Sequence, residues 1–487
     1  MSIKQKAIKG VLWTAIQNWG SQLGSLIVFF VLARLLDPET FGLVALANVF
    51  LAFMQVFLDQ GFAQALIQRK ELESAHLDTA FWINLGIGTL LTVTGFVAAS
   101  WVANLFHQAQ LTSILQCLSI LFFIRSFSGV QQAILERKFA FKAVAVRLLL
   151  GTAISGVVSI TMALNGFGIW SLVFQQLVHE LIGALALWFA SDWRPRFKFS
   201  VPHFKHLFGF GSSILGFNFL GFINNRADDF LIGYFLGPTA LGYYAIAYRI
   251  LTVMTDLLVN TSSQVTLPTF SRLQEEPERF RKAFYSATQL TSSIAFPIFL
   301  GVVVFAPELV LLLFGIQWLP SIPVMQVLAL VGILRSVTYF KGSVFIAMGK
   351  PTWRLWLGLL SAGLNLVGFI VAVRWGIIAV SFAYLIRSLI VFPIGQWAVS
   401  KLIHTPLLDY LSQFIAPLIS SLVMAIALLG IKQLLGNLLG MWALLAISVV
   451  FGAIVYGIAI RLISPSLFQK LQEFIYLALS RAKRQNA

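Results

Sequence analysis

Seven basic residues lie inside apolar stretches of the sequence: Arg125, Arg147, Arg226, Arg249, Arg335, Lys341 and Arg387. Five acidic residues do the same: Asp59, Glu180, Asp228, Asp229 and Asp256. A charge at membrane depth is costly, so it normally faces a cavity or a partner. Guanidiniums offer a planar fork of donors that fits phosphate and carboxylate oxygens. Seven cations against five anions describe an interior suited to an anionic ligand. Arg226, Arg249, Arg335 and Arg387 sit deepest in their stretches, while Arg125, Arg147 and Lys341 lie nearer an end, where long stems reach the interface.

Some of these charges have local partners. Arg226 and Asp229 are three residues apart on one helix face, and Arg249 and Asp256 are seven apart. Arg335 and Arg387 have no acid within two turns, which leaves a cavity role or an interhelical partner such as Glu180. Asp59, Glu180 and Asp256 are candidate proton or sodium sites for ion coupling. Neutral polar residues extend the candidate binding set. Thr14, Asn18, Ser21 and Ser25 share one helical face, as do Asn218, Asn225 and Asp229, and Gln175, Gln176 and His179 form a further group. Such side chains hydrogen-bond sugar hydroxyls, and they also glue helices together. The substrate-binding candidates are therefore Arg226, Arg249, Arg335, Arg387, Lys341, Asn18, Gln175 and Asn225.

The elements that carry these residues must span a bilayer. Of 487 residues, 59% are hydrophobic and 11% charged, against about 25% charged in soluble domains. A water-soluble enzyme of this length is excluded. A ruler of about 20 apolar residues per crossing gives an all-α integral membrane protein of about fourteen transmembrane helices: 10–35, 41–66, 79–105, 111–135, 143–164, 168–190, 206–236, 239–266, 284–305, 321–348, 353–373, 376–400, 410–431 and 438–461. The segment 306–320 is a candidate short outer helix. No cleavable signal peptide is expected, because the first span follows directly on Lys4, Lys6 and Lys9.

Of the 34 Lys and Arg, 24 fall at the N-terminus, in the even-to-odd connections and in the tail, against three (Arg34, Arg374, Lys432) on the opposite side. That asymmetry puts both termini in the cytoplasm. It also accounts for the net charge of +16 without a nucleic-acid surface, since the basic residues are spread between apolar runs. Beyond Arg461, the residues Leu467, Phe468, Leu471, Phe474, Ile475 and Ala478 fall on one stripe, opposite Lys470, Gln472 and Glu473. Residues 463–487 thus read as a cytoplasmic amphipathic basic tail on the inner leaflet.

The chain also repeats. Leu36 to Ala47 lies over Leu236 to Ala247, with Leu, Pro, Gly and two Ala in common, and Gly168 to Phe174 parallels Gly376 to Phe382. Both offsets preserve the direction of crossing. They imply six-helix lobes at 1–203 and 204–402, related by an axis along the membrane normal with a central cavity between them, followed by a helix pair at 403–462. Walker, GxSxG, HExxH and CxxC motifs are missing, the six His form no metal-ligand pair at helix spacing, and Cys117 is the single cysteine. Neither a metal nor a cofactor is expected. Short outer connections favour a carrier over an enzyme.

Several motifs are family-like. The run Asp59 to Arg69 (DQGFAQALIQR) followed by Thr79 to Asn84 (TAFWIN), the run Arg226 to Gly237 (RADDFLIGYFLG) with Leu241 to Ala247, Gly168 onward (GIWSLV), and Leu313 to Trp318 (LFGIQW) ahead of Pro323 resemble the polysaccharide transporter family. These are Wzx-type lipid-linked oligosaccharide flippases of the multidrug/oligosaccharidyl-lipid/polysaccharide (MOP) superfamily. The resemblance spans the chain. It implies two six-helix lobes in a V plus a C-terminal helix pair, an inner-membrane location, and a polyprenyl-pyrophosphate oligosaccharide as the cargo moved to the outer leaflet by alternating access. It also suggests polymerase or export machinery as partners. The charges fit that cargo, since a pyrophosphate cannot cross hydrocarbon unaided. A multidrug cation antiporter of the same superfamily and a membrane glycosyltransferase or polymerase are the competing classes. The former would want an acidic cavity, the latter a catalytic carboxylate within reach of a sugar nucleotide.

Overall fold

The computed structural model describes residues 3–58, 66–67 and 73–473, with side chains outside 3–12, 14–16, 18, 201–214 and 257–265. Among the described residues the regular elements are all helices. Twelve are long and apolar enough to cross a membrane, and Trp19–Leu35 is a shorter apolar one. The chain divides into two compact units, Met1–Ala245 and Ile246–Ala487.

The first unit contains α1 (Ile3–Leu35), α2 (Pro38–Leu58), α3 (Ser74–Leu105), α4 (Gln110–Arg137), α5 (Phe141–Leu164), α6 (Ile169–Ala190) and the start of α7 (Val201–Arg272). Within it α3 packs along α4, α5 along α6 and α1 along α5. Close approach is bought by small residues: the position of a Cβ on Gly156 falls against Val28, and one on Gly88 against Ser126.

At 72 residues α7 is far longer than one crossing requires. Gly237, at φ +83 and ψ 176, interrupts it. The chain folds back there, because Tyr244 Oη donates a 2.7 Å hydrogen bond to Asp228 Oδ2, a contact that residues sixteen apart on a straight helix could not make. The apolar stretch Leu215–Asp256 therefore supplies two crossings, and the total comes to about fourteen.

The matched segments of the repeat occupy equivalent places. Asp37 starts α2 by accepting from Thr40 N (2.8 Å) and Thr40 Oγ1 (3.0 Å), with Pro38 following as first helical residue. In the second copy Gly237 stands where Asp37 stood and Pro238 follows. Gly42 then lies against the carbonyl of Pro238, and Gly242 against the carbonyl of Pro38, so the two turns meet reciprocally. At the other match, Gly168 (φ +53) and Gly376 (φ +90) each precede a helix, in the left-handed region that favours glycine.

The second unit contains the remainder of α7, α8 (Pro277–Leu313), α9 (Ser321–Thr338), α10 (Lys341–Ala347), α11 (Pro351–Ala372), α12 (Ile377–Ile403), α13 (Leu407–Leu435) and α14 (Met441–Ile463). Where a short outer helix is expected at 306–320, α8 instead bends at Phe305, beside Pro307, and continues to Leu313; a short 3-10 turn at Ile316–Trp318 follows. The span read at 321–348 stays one candidate crossing, Ser321–Ala347, within which the helix breaks into α9 and α10 at Tyr339 and Phe340. In the core, Phe270, Phe280 and Phe284 pack with Tyr410 and Phe414. The most apolar window of α12 is only 17% buried, which suits a helix whose outer face meets lipid rather than water. Of the tail stripe, Leu467 is buried and Arg461 lies 5.9 Å from the ring centroid of Phe468; Phe474, Ile475, Ala478 and the basic residues after them lie outside the described residues.

Candidate functional site

Each unit carries its own polar centre. In the second, Arg335 projects from α9 between two phenols. Its Nη2 donates to Tyr248 Oη of α7 at 3.1 Å and also to Tyr384 Oη of α12. The guanidinium carbon lies 5.2 Å from the Tyr384 ring centroid and 5.7 Å from that of Tyr248. Arg387, one turn after Tyr384 on α12, sets its own guanidinium 4.6 Å from the Tyr384 ring centroid and donates from Nε to Asn365 Oδ1 of α11 at 2.7 Å. Asn365 and Tyr384 are buried. Phe369 meets Tyr384 edge-on, at a centroid distance of 6.0 Å. One tyrosine ring thus organises two cations through cation–π contact and a hydroxyl acceptor. Among the described residues no carboxylate comes within ion-pairing distance of either arginine.

Lys341 opens α10 as a buried cation. Its Nζ donates to the backbone carbonyl of Phe392 at 3.0 Å and lies 4.9 Å from that residue's ring centroid. Gly395 makes the room, since a Cβ there would sit 2.8 Å from Nζ. Arg249 is half-buried on the same unit's part of α7, and Asp256 is exposed further along it.

In the first unit Glu180 of α6 sits between two arginines. Arg125 of α4 approaches Oε1 through Nη2 at 2.9 Å and Nε at 3.0 Å, and Arg147 of α5 approaches Oε2 at 3.6 Å. Arg125 Nη1 also donates to Gln55 Oε1 of α2 at 2.8 Å, and Arg147 donates to Gln132 Oε1, whose amide reaches Glu136 at 2.8 Å. Gly183, three residues past Glu180, leaves the notch that Arg147 crosses; a Cβ there would lie 3.0 Å from its Nε. Arg125 and Glu180 border a cavity of about 230 Å³ that Gln175, Gln176 and His179 also line.

The sequence candidates thus separate. Arg335 and Arg387 come together, with Lys341 on the adjoining α10, while Gln175 and Glu180 share the first unit's cavity. Arg226 pairs with Asp229 at 2.9 Å, and the Asn225 amide bonds back to Gly221 O at 2.8 Å. Asp59 and the side chain of Asn18 lie outside the described residues. Sequence reasoning did not single out Tyr248, Tyr384 or Asn365. The spacing of Tyr384 and Arg387, three apart on a helix, was the one available signal; the other contacts run between helices and leave no local trace.

The Glu180 arrangement gives a stability prediction. Glu180→Ala strands two guanidiniums inside a helical bundle, and breaking a buried ion pair this way costs about 3–5 kcal/mol. Arg125 is 38% exposed, which points to the lower end. The thermal midpoint of the purified protein should fall clearly, and Arg147→Gln added to that background should recover part of the loss. An unchanged midpoint in Glu180→Ala would rule out the shared ion pair.

Fold and sites together define a multi-pass α-helical membrane protein with a half-buried cationic centre. Residues 31–323 match the family described as "Polysaccharide biosynthesis protein", and the chain belongs to that family. It is 29% identical to the teichuronic acid biosynthesis protein TuaB of Bacillus subtilis (strain 168), over 93% of this chain and 95% of the relative. It is also 29% identical to the succinoglycan biosynthesis transport protein ExoT of Rhizobium meliloti (strain 1021), over 98% and 96%. Among solved structures, the lipid II flippase MurJ in an inward closed conformation superposes with a TM-score of 0.78 at 17% identity, covering 94% of this chain and 99% of that one. An inward-facing multidrug resistance MATE transporter of the MOP superfamily gives 0.62 at 17%, covering 81% and 99%. The fold is that of the MOP superfamily.

Proposed function

We propose that the protein carries a polyprenyl-pyrophosphate-linked oligosaccharide, the repeat unit of a surface polysaccharide, from the inner to the outer leaflet of the cytoplasmic membrane. The observation that carries this reading is the pair Arg335 and Arg387, two guanidiniums on one ring without a carboxylate partner among the described residues. A pyrophosphate presents several anionic oxygens and so accepts from both forks at once. Arg249 is a further cation on the same unit's part of α7, whereas Arg226 is paired with Asp229. Transport then proceeds by alternating access of the lobes 1–203 and 204–402, with both termini in the cytoplasm as the Lys and Arg distribution favours. The names of TuaB and ExoT, a biosynthesis protein and a transport protein for two polysaccharides, support the class of cargo.

A cation antiporter needs a free carboxylate in its cavity, and Glu180 is already held by two arginines. That pairing makes Glu180 the poorer coupling candidate, and a flux drawn by polymerisation outside needs no coupling ion. Expression in a bacterium lacking its own capsule or O-antigen flippase should restore surface polysaccharide. No restoration in any such host at normal protein levels, or extrusion of a lipophilic cation that Asp256→Asn blocks, would sink the proposal.

A further inference from the structure

The cavity in the first unit has a different chemistry from the arginine pair. It is built by α1, α4, α5 and α6, at about 230 Å³. Its charges are satisfied internally: both Glu180 oxygens are engaged, and Arg147 reaches Glu136 through Gln132. Two arginines and two glutamates leave no net charge to draw a phosphate or an organic cation. The amides of Gln175 and Gln176 and the imidazole of His179 behave otherwise. They line the cavity and, among the described residues, make no protein hydrogen bond. At membrane depth an unused amide is costly, and this stretch of α6, little more than one turn, could have carried apolar residues instead.

The unused groups supply donors and acceptors side by side, since each amide has both. A phosphate would need donors only and a cation acceptors only, but a hydroxyl uses both. The volume admits a single pyranose ring and not a whole repeat unit. We infer that this cavity is a subsite for one uncharged sugar ring, held by Gln175, Gln176 and His179 beside the Arg125–Glu180 pair. The inference rests on the proposed oligosaccharide cargo and adds where a sugar of that cargo is read. It also makes the cavity selective: a carboxylated or phosphorylated ring would bring an unpaired charge next to Glu180.

Saturation-transfer NMR on the full-length protein in lipid nanodiscs tests it, with methyl glucoside and methyl galactoside as neutral probes and glucuronate and a sugar phosphate as charged ones. With Arg335 and Arg387 both replaced by glutamine, so that the arginine pair offers no competing anion site, the neutral probes should receive the larger transfer. In that background Gln175→Leu and Gln176→Leu should each weaken it by about tenfold, the size of one lost hydrogen bond. Gln175→Asn, which retracts the amide while keeping its polarity, should give an intermediate signal and stands in if a leucine variant does not fold. Transfer in Gln175→Leu and Gln176→Leu equal to that of their parent, or preference for the charged probes in that background, would overturn the subsite. Those outcomes are separable from failure of the transport reading. If only the subsite is wrong, wild type still restores surface polysaccharide and both leucine variants do so equally well. If the transport reading is wrong, wild type restores none.

Discussion

Replacing Arg335 and Arg387 together by glutamine is expected to abolish restoration of surface polysaccharide while leaving the protein folded. On the proposed reading each guanidinium would make a charge-assisted contact with the anionic cargo worth about 1.5–3 kcal/mol, which corresponds to roughly a tenfold to hundredfold loss for each single variant. The double variant should therefore fall below detection. Stability should move differently. Neither arginine balances a carboxylate among the described residues, so neutralising it strands no opposite charge. The hydroxyls of Tyr248 and Tyr384 lose a donor, at about 1 kcal/mol, while the membrane interior loses an uncompensated cation. The thermal midpoint should thus stay close to that of wild type. Arg335→Lys keeps the charge without the planar fork and should fall between. Tyr384→Phe keeps the ring under both cations, removes one acceptor and should cost less than either arginine. Export at wild-type rates from the double variant would remove the cationic site from the mechanism.

The contrast with Glu180→Ala separates the two polar centres. In one, removing a charge strands its charged partners and destabilises; in the other, among the described residues, there is no carboxylate to strand, only the neutral acceptors Tyr248, Tyr384 and Asn365. Arginines within apolar helices therefore meet different partners, a carboxylate in one unit and phenols and an amide in the other, and sequence alone could not sort them. Arg226 and Asp229 were legible as a pair because they sit one turn apart on a single helix. Glu180 was not legible as the partner of Arg125 and Arg147, because those contacts cross from α6 to α4 and α5. Arg125 and Arg147 read as snorkelling residues near span ends, yet a neighbouring helix supplies their carboxylate, and the notch at Gly183 that admits Arg147 shows only once α5 lies on α6. The spans were legible because length and apolarity are properties of a single helix. The return at Gly237 was marked by a glycine–proline pair between two apolar runs. The break between α9 and α10 carries neither residue at Tyr339 and Phe340, and it read as one continuous span.

Alanine at Gly42 or Gly242 should destabilise the first unit although it favours the helix. Both glycines lie within helical segments without positive φ, where Gly→Ala ordinarily gains about 0.5–1 kcal/mol. Here the new methyl meets backbone: the Pro238 carbonyl for Gly42, the Pro38 carbonyl for Gly242. A carbonyl cannot rotate aside as a side chain does, so relief requires the two turns to separate. Overpacking of this kind costs about 1–3 kcal/mol, enough to outweigh the helical gain and lower the thermal midpoint by several degrees. The reciprocity gives a sharper test. Once one methyl has pushed the turns apart, the second meets a contact already opened, so the double variant should lose clearly less than the two single losses combined. Independent, additive losses would mean that each glycine has its own contact. Midpoints that rise, as for an ordinary helical glycine, would mean that the turns at Pro38 and Pro238 do not meet. Gly363, on α11 with nothing within 4 Å of its Cβ position, is the internal control: alanine there should give the helical gain alone.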